Sequence, residues 1–153
     1  MRKTKQAFLW IIEILKENDI KYRISGGLSA RVYGSKRKLA DIDIEVRQKD
    51  VNKIYKSVKE FVVYGPKRYK DQHWDLMLMT LEYKKQEIDI ASFEAKLFNK
   101  KTKQWINRPG KFNDSNLKNV FGLDVLVEKK RSLIKYKKIL SRDVDIKDVK
   151  QLS

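Results

Sequence analysis

The sequence predicts an α+β fold: a mixed sheet flanked by helices and followed by a short helical tail. Three observations carry that expectation. Apolar residues recur at helical spacing in 4–18, 51–61 and 128–140. Between the first two helices, Ala40-Asp41-Ile42-Asp43-Ile44-Glu45-Val46 alternates acid and apolar residue, the period of a half-buried strand. Further on, 73–81 and 87–91 read as the arms of a hairpin with 82–86 at its tip.

In order along the chain, helix 4–18 carries Phe8, Ile11, Ile12 and Leu15 on one stripe and is broken by Asn18-Asp19. A short strand, 20–25, delivers the chain to Gly26-Gly27, and 28–33 reads as a short helix beginning at that turn. A basic loop, 34–38, leads into the acidic strand 40–46. Asp50 is the expected N-cap of helix 51–61. Residues 62–64 read as a strand and 65–72 as a polar loop. From 93 to 116 the pattern weakens to irregular structure with one helical turn. A strand at 121–127 and a helix at 128–140 follow, and Asp145 is the expected cap of a last helix reaching Leu152. With 153 residues and no linker or repeat, the expectation is a single domain, 1–153, with its core at about 20–92 and a C-terminal strand and helices at about 93–153.

Composition removes several chemistries. There is no cysteine, which excludes disulfides and thiolate metal sites, and the single histidine argues against a histidine-rich zinc site and a serine–histidine triad. No apolar run approaches the ~20 residues of a membrane span, and the basic N-terminus leads into an amphipathic helix without a cleavage site. The expectation is a cytoplasmic protein with no membrane contact. The net charge of +16 suits a polyanionic partner, RNA or an acidic protein, although a lysine-rich thermophilic surface accounts for it equally well.

The acidic strand carries the chemistry. Successive side chains of a strand point to opposite faces, so Asp41, Asp43 and Glu45 share one side while Ile42, Ile44 and Val46 bury the other. Carboxylates ~7 Å apart along a strand repel unless a cation lies between them. With oxygen as the only available donor, that cation is magnesium or manganese. The glycine turn upstream can bring a phosphate to it. Asp89, set between Ile88 and Ile90, puts a further carboxylate on one face of a second strand.

Strand, Ser25-Gly26-Gly27, helix, Asp41-Ile42-Asp43 and the later Ile88-Asp89-Ile90 resemble the nucleotidyltransferase superfamily of DNA polymerase β. The likeness is to its small members: lincosamide and aminoglycoside nucleotidyltransferases, abortive-infection toxins and minimal nucleotidyltransferases. It covers about 20–92, and Leu133-Ile134, Lys137, Arg142-Asp143, Asp145 and Asp148 look like the helical tail of these enzymes. The loop 34–38 is more basic than the usual connection, and there is no large extra domain for an acceptor.

The resemblance implies the nucleotidyltransferase fold and a transfer of nucleoside monophosphate from a nucleoside triphosphate, ATP among the candidates, to a hydroxyl. The acceptor, whether RNA, protein or small molecule, stays open. Asp41, Asp43 and Asp89 would be the catalytic and metal-binding residues, with Mg²⁺ or Mn²⁺. Ser25, Gly26, Gly27 and Lys137 would bind nucleotide, Lys137 being otherwise a surface lysine. Arg31 and Arg37 are candidates for phosphate contact or for a solvated role. The alternative is a non-catalytic nucleotide- or RNA-binding module, an antitoxin-like partner on the same fold. Oligomeric state is not legible.

Overall fold

The computed structural model describes residues 2–152. Helix α1, Arg2–Glu17, leads to strand β1, Tyr22–Ser25, helix α2, Gly26–Val32, and strand β2, Asp41–Val46. Helix α3, Gln48–Val58, ends in a 3-10 turn before three long strands: β3, Val62–Lys70, β4, Trp74–Tyr83, and β5, Gln86–Asn99. Strands β6, Gln104–Asn107, β7, Ser115–Val120, and β8, Leu123–Glu128, precede helices α4, Lys130–Leu140, and α5, Asp143–Leu152.

The strands form one mixed sheet in the order β3-β4-β5-β2-β1-β8-β7, with β6 joined to the far end of β5. The pairs β2–β5 and β1–β8 are parallel, and the others, including β1–β2 between them, are antiparallel. One face is covered by α1 and α3. Phe8, Ile11, Ile12 and Leu15 of α1 and Val51, Ile54 and Val58 of α3 meet Ile24, Ile42, Ile44, Ile88 and Ile90 of the sheet, all essentially inaccessible. Truncating one such isoleucine to alanine costs about 2–5 kcal/mol. This layer fixes the register of β2 and β5, because a slip of one residue would bury their acids instead. The opposite face of the sheet is only partly covered, by α2, α4 and α5, and carries the cleft described below. No helix among the described residues is long and apolar enough to cross a membrane.

Several local expectations are corrected. Helix α3 begins at Gln48 with Arg47 as its cap, so Asp50 lies inside the first turn, where its charge favours the helix dipole. Helix α5 likewise begins before Asp145, which sits in its first turn: its buried carboxylate accepts the Arg142 N–H from inside the helix at 3.1 Å and also pairs with Lys137 and Arg142. The polar stretch 65–72 is mostly strand: Gly65-Pro66 is absorbed by register shifts in β3, an edge strand with no outer neighbour among the described residues. The hairpin tip is only Lys84-Lys85, both at positive φ, in place of 82–86. Phe121-Gly122 is a similar tight turn between β7 and β8, so the strand expected at 121–127 begins two residues later. In the region read as irregular, β5 runs on to Asn99, β6 pairs with it, and β7 begins at Ser115. These strands alternate poorly because both of their faces are only partly buried.

Candidate active site

The parallel pairing of β2 with β5 sets Asp41 opposite Glu87 and Asp43 opposite Asp89. Side chains at matched positions of parallel strands point the same way, so these carboxylates gather on the cleft side while Ile42, Ile44, Ile88 and Ile90 fill the core. Asp41, Glu87 and Asp89 each offer an oxygen within 4.8 Å of the others. Thr80, on β4, donates its hydroxyl to Asp89 Oδ1 at 2.7 Å and holds that carboxylate in place.

Asp43 lies against the glycine turn. It accepts the Gly27 N–H, and a Cβ on Gly26 would stand 2.1 Å from its Oδ2. Gly26 has φ +60°, the left-handed region that glycine adopts without steric cost. The glycine pair therefore does two jobs: it turns β1 into α2, and it lets the backbone come up against a carboxylate. Ser25 ends β1 in register with Asp43 and makes no capping bond to α2.

The crowding shows in proton affinity. Burial, then repulsion from Asp41 and Asp89, holds the Asp43 carboxyl well above its ordinary range, with the Lys137 charge and the Gly27 N–H opposing. Asp89 is pushed up to about 6, by burial first, against the Thr80 bond and with help from Asp41 and Glu87. Glu87 is raised by burial and by Asp41.

Elsewhere in the chain buried acids have internal cations. Arg23 and Arg108 pair with Glu45 at 2.7 and 3.0 Å and with Glu128 at 3.4 and 3.0 Å. Lys137 Nζ lies 3.0 Å from Asp148 and 3.5 Å from Asp145. Arg37 chelates Asp148 with two bonds, and Arg142 does the same to Asp145. Asp41, Asp43, Glu87 and Asp89 have no ion pair among the described residues. An all-carboxylate donor set left without an internal cation fits a hard divalent ion.

The cluster forms one end of a cleft of about 500 Å³, a size usual for small-ligand sites. Arg37, Lys137 and Arg142 line another side. Tyr69, Trp74, Leu76, Leu78, Leu97 and Tyr136 make an aromatic and aliphatic wall. Trp74 donates its indole N–H to the Tyr136 hydroxyl at 2.7 Å, and the Arg142 guanidinium lies 4.5 Å over the Trp74 ring, so this wall is braced across β4, α4 and the α4–α5 junction.

The cleft brings together Ser25, Gly26, Gly27, Asp41, Asp43, Asp89 and Lys137, and Arg37 with them, but not Arg31. Lys137 is not a surface lysine; it is 1% exposed, and its charge is shared by two acids. Arg37 is not simply solvated, while Arg31 donates to the Arg37 carbonyl. Glu45 belongs to the Arg23–Arg108–Glu128 network and not to the acidic cluster. His73 packs edge-on against Trp74, and Asp75 pairs with exposed Arg68. Two participants were missed. Glu87 shares the strand face of Asp89 two residues away, which is the signal that marks it; Thr80 has no sequence signal, because only the β4–β5 register places it beside Asp89.

This sheet, with paired acids on β2, a further acid on β5 and the glycine turn after β1, is the nucleotidyltransferase fold. The chain belongs to the aminoglycoside-2''-adenylyltransferase family, whose model matches residues 7–125. Among solved structures, a Thermotoga maritima protein described as a nucleotidyltransferase (TM1012) superposes with a TM-score of 0.75 at 15% identity, over 95% of this chain and 89% of that one. The lincosamide antibiotic adenylyltransferase LnuA, solved with lincomycin, gives 0.60 at 13%, over 97% of each chain. ANT(2'')-Ia, solved with adenylyl-2''-tobramycin, gives 0.62 at 12%, over 97% of this chain and 86% of that one. At these identities the likeness is one of fold. No curated protein matches the chain.

Proposed function

We propose that the protein is a metal-dependent nucleotidyltransferase that moves a nucleoside monophosphate from a nucleoside triphosphate to a hydroxyl. The observation that carries this is the contrast between the unpaired carboxylates of the cleft and the neutralised buried acids around them. Asp41, Asp43 and Asp89, with Glu87 beside them, would hold Mg²⁺ or Mn²⁺. When bound, such an ion neutralises the triphosphate and stabilises charge developing at the α-phosphate.

The chain's own groups do the rest. Arg37, Lys137 and Arg142 against Asp145 and Asp148 leave one net positive charge on their side of the cleft, suited to a polyphosphate. Ser25, Gly26 and Gly27 bring backbone close to the same region, and the Gly27 N–H positions Asp43. Asp89, whose carboxylate is oriented by the Thr80 hydroxyl, is the base for the acceptor hydroxyl. The hydroxyl oxygen bonds to the α-phosphorus, its proton passes to Asp89, the bond to the bridging oxygen breaks, and pyrophosphate leaves. The family's name makes ATP the first donor to try. Retention of the whole acidic set favours this reading over a non-catalytic binding module.

Incubation with each α-labelled triphosphate, Mg²⁺ and separated pools of RNA, protein and small molecules tests the reading. Label entering one pool, dependent on Mg²⁺ and lost in Asp41→Asn/Asp43→Asn, is the expected result. No transfer from any triphosphate to any pool would contradict it.

A further inference from the structure

On the outer side of α4, away from the cleft, a second groove runs between that helix and the β5–β6 turn. Asn99, Lys101, Arg131, Ile134, Lys135, Lys138 and Ile139 line it. Its cations come from two stretches, 95–113 and 129–142, that contain no acid at all. Arg131, Lys135 and Lys138 are exposed and stand at i, i+4 and i+7, so they form one stripe along about 10 Å of helix. None of these cations, nor Lys101, has an ion-pair partner among the described residues.

The groove is also braced. The Lys100 N–H donates to the Ile139 carbonyl at 3.1 Å, and Lys100 Nζ donates to the Ser141 carbonyl at 3.2 Å, which pins the turn to the end of α4. Asn99 Oδ1 accepts the N–H groups of Lys101 and Thr102, so the turn that presents Lys101 is itself ordered. The inner face of the same helix spends Lys137 on buried acids, whereas the outer face keeps its charge for solvent.

We infer that this groove is a docking surface for the phosphate backbone of RNA. Like charges held along a helix without an ion-pair partner repel one another, and a strand of phosphates relieves that repulsion while releasing its own counterions. A row of cations one helical turn apart matches a regular polyanion better than the scattered acids of a protein surface. Ile134 and Ile139 supply an apolar floor against which sugar or base can lie. The chain's excess of 36 basic over 20 acidic residues adds long-range attraction for the same partner.

The test is fluorescence anisotropy of a labelled single-stranded RNA 20-mer with the full chain, without nucleotide or metal, across a salt series. Because neither is present, the outcome does not depend on the transfer reading. Replacing Lys101, Arg131, Lys135 and Lys138 by Ala should raise Kd at least ~10-fold and reduce the log–log salt slope by about 3, at ~0.7 per single-strand phosphate contact. Replacing exposed Lys49, Lys53, Lys56 and Lys59 on the α3 side removes the same charge and should change Kd less than threefold. Lys135→Glu alone, at an exposed position, should weaken binding in the same direction with an unchanged melting curve. Equal losses in the groove and α3 variants, absence of salt-sensitive RNA binding, or equally effective competition by polyglutamate of matched charge would each overturn the inference.

Discussion

Gly26 and Asp43 are in contact across the turn from β1 to α2, so close that no side chain fits between them. This ties the glycine motif directly to the acidic strand: the turn is shaped around a carboxylate.

Gly26→Ala should therefore hurt activity more than stability. Holding alanine in the left-handed region costs about 1–2 kcal/mol, at roughly 2–4 °C of Tm per kcal/mol for a chain of this size. Displacement of Asp43 by the new methyl should cost about 100-fold in label transfer. Thermal melting and a transfer assay on the same sample check both; an unchanged rate would show that the close approach is incidental.

Stability without metal should fall as pH rises. Asp89 is held at about 6 against its ordinary 3.8, so the folded chain binds that proton more tightly than the unfolded one. Its contribution is complete below 3.8 and lost as pH passes through about 6; Asp43 is shifted in the same direction. Asp148, lowered to about 2, acts oppositely, but its contribution is lost only below 3.8, outside this window. Melting curves in chelator should thus decline between about pH 4 and 6, with a shallower decline in Asp89→Asn and recovery on adding Mg²⁺ at pH above 7.

Lys137→Met should destabilise by about 3–5 kcal/mol, because it leaves Asp145 and Asp148 buried with one cation fewer. Urea unfolding measures this directly. A loss under about 1 kcal/mol, the range of a surface pair, would mean that the lysine is solvated.

Thr80→Val removes the hydroxyl that favours ionised Asp89. The acid limb of the pH–rate profile should move to higher pH, while Thr80→Ser should leave it in place. A uniform loss of rate without such movement would assign Thr80 a packing role only.

The acidic strand and the glycine turn were legible because each is local: alternation sorts Asp41 and Asp43 from Ile42 and Ile44 without knowledge of any neighbour. Asp89 needed a resemblance to be given a partner strand; Glu87 shares its face by simple alternation, but only the parallel register sets it opposite Asp41. The long-range ion pairs were out of reach. Nothing in the sequence near Arg108 marks it for Glu45 and Glu128, 63 and 20 residues away. The same holds for Arg37 and Asp148, joined across 111 residues. Strand β7 escaped because Leu117 and Leu126, paired across β7 and β8, both face solvent and blur the apolar period.

Manganese titration followed by electron paramagnetic resonance, at pH 7.5 and without nucleotide, tests the central claim most directly. The wild-type chain should bind Mn²⁺ saturably, and Asp41→Asn/Asp89→Asn should weaken that binding at least ~10-fold while remaining folded. Equal Mn²⁺ affinity in the two proteins would contradict the account.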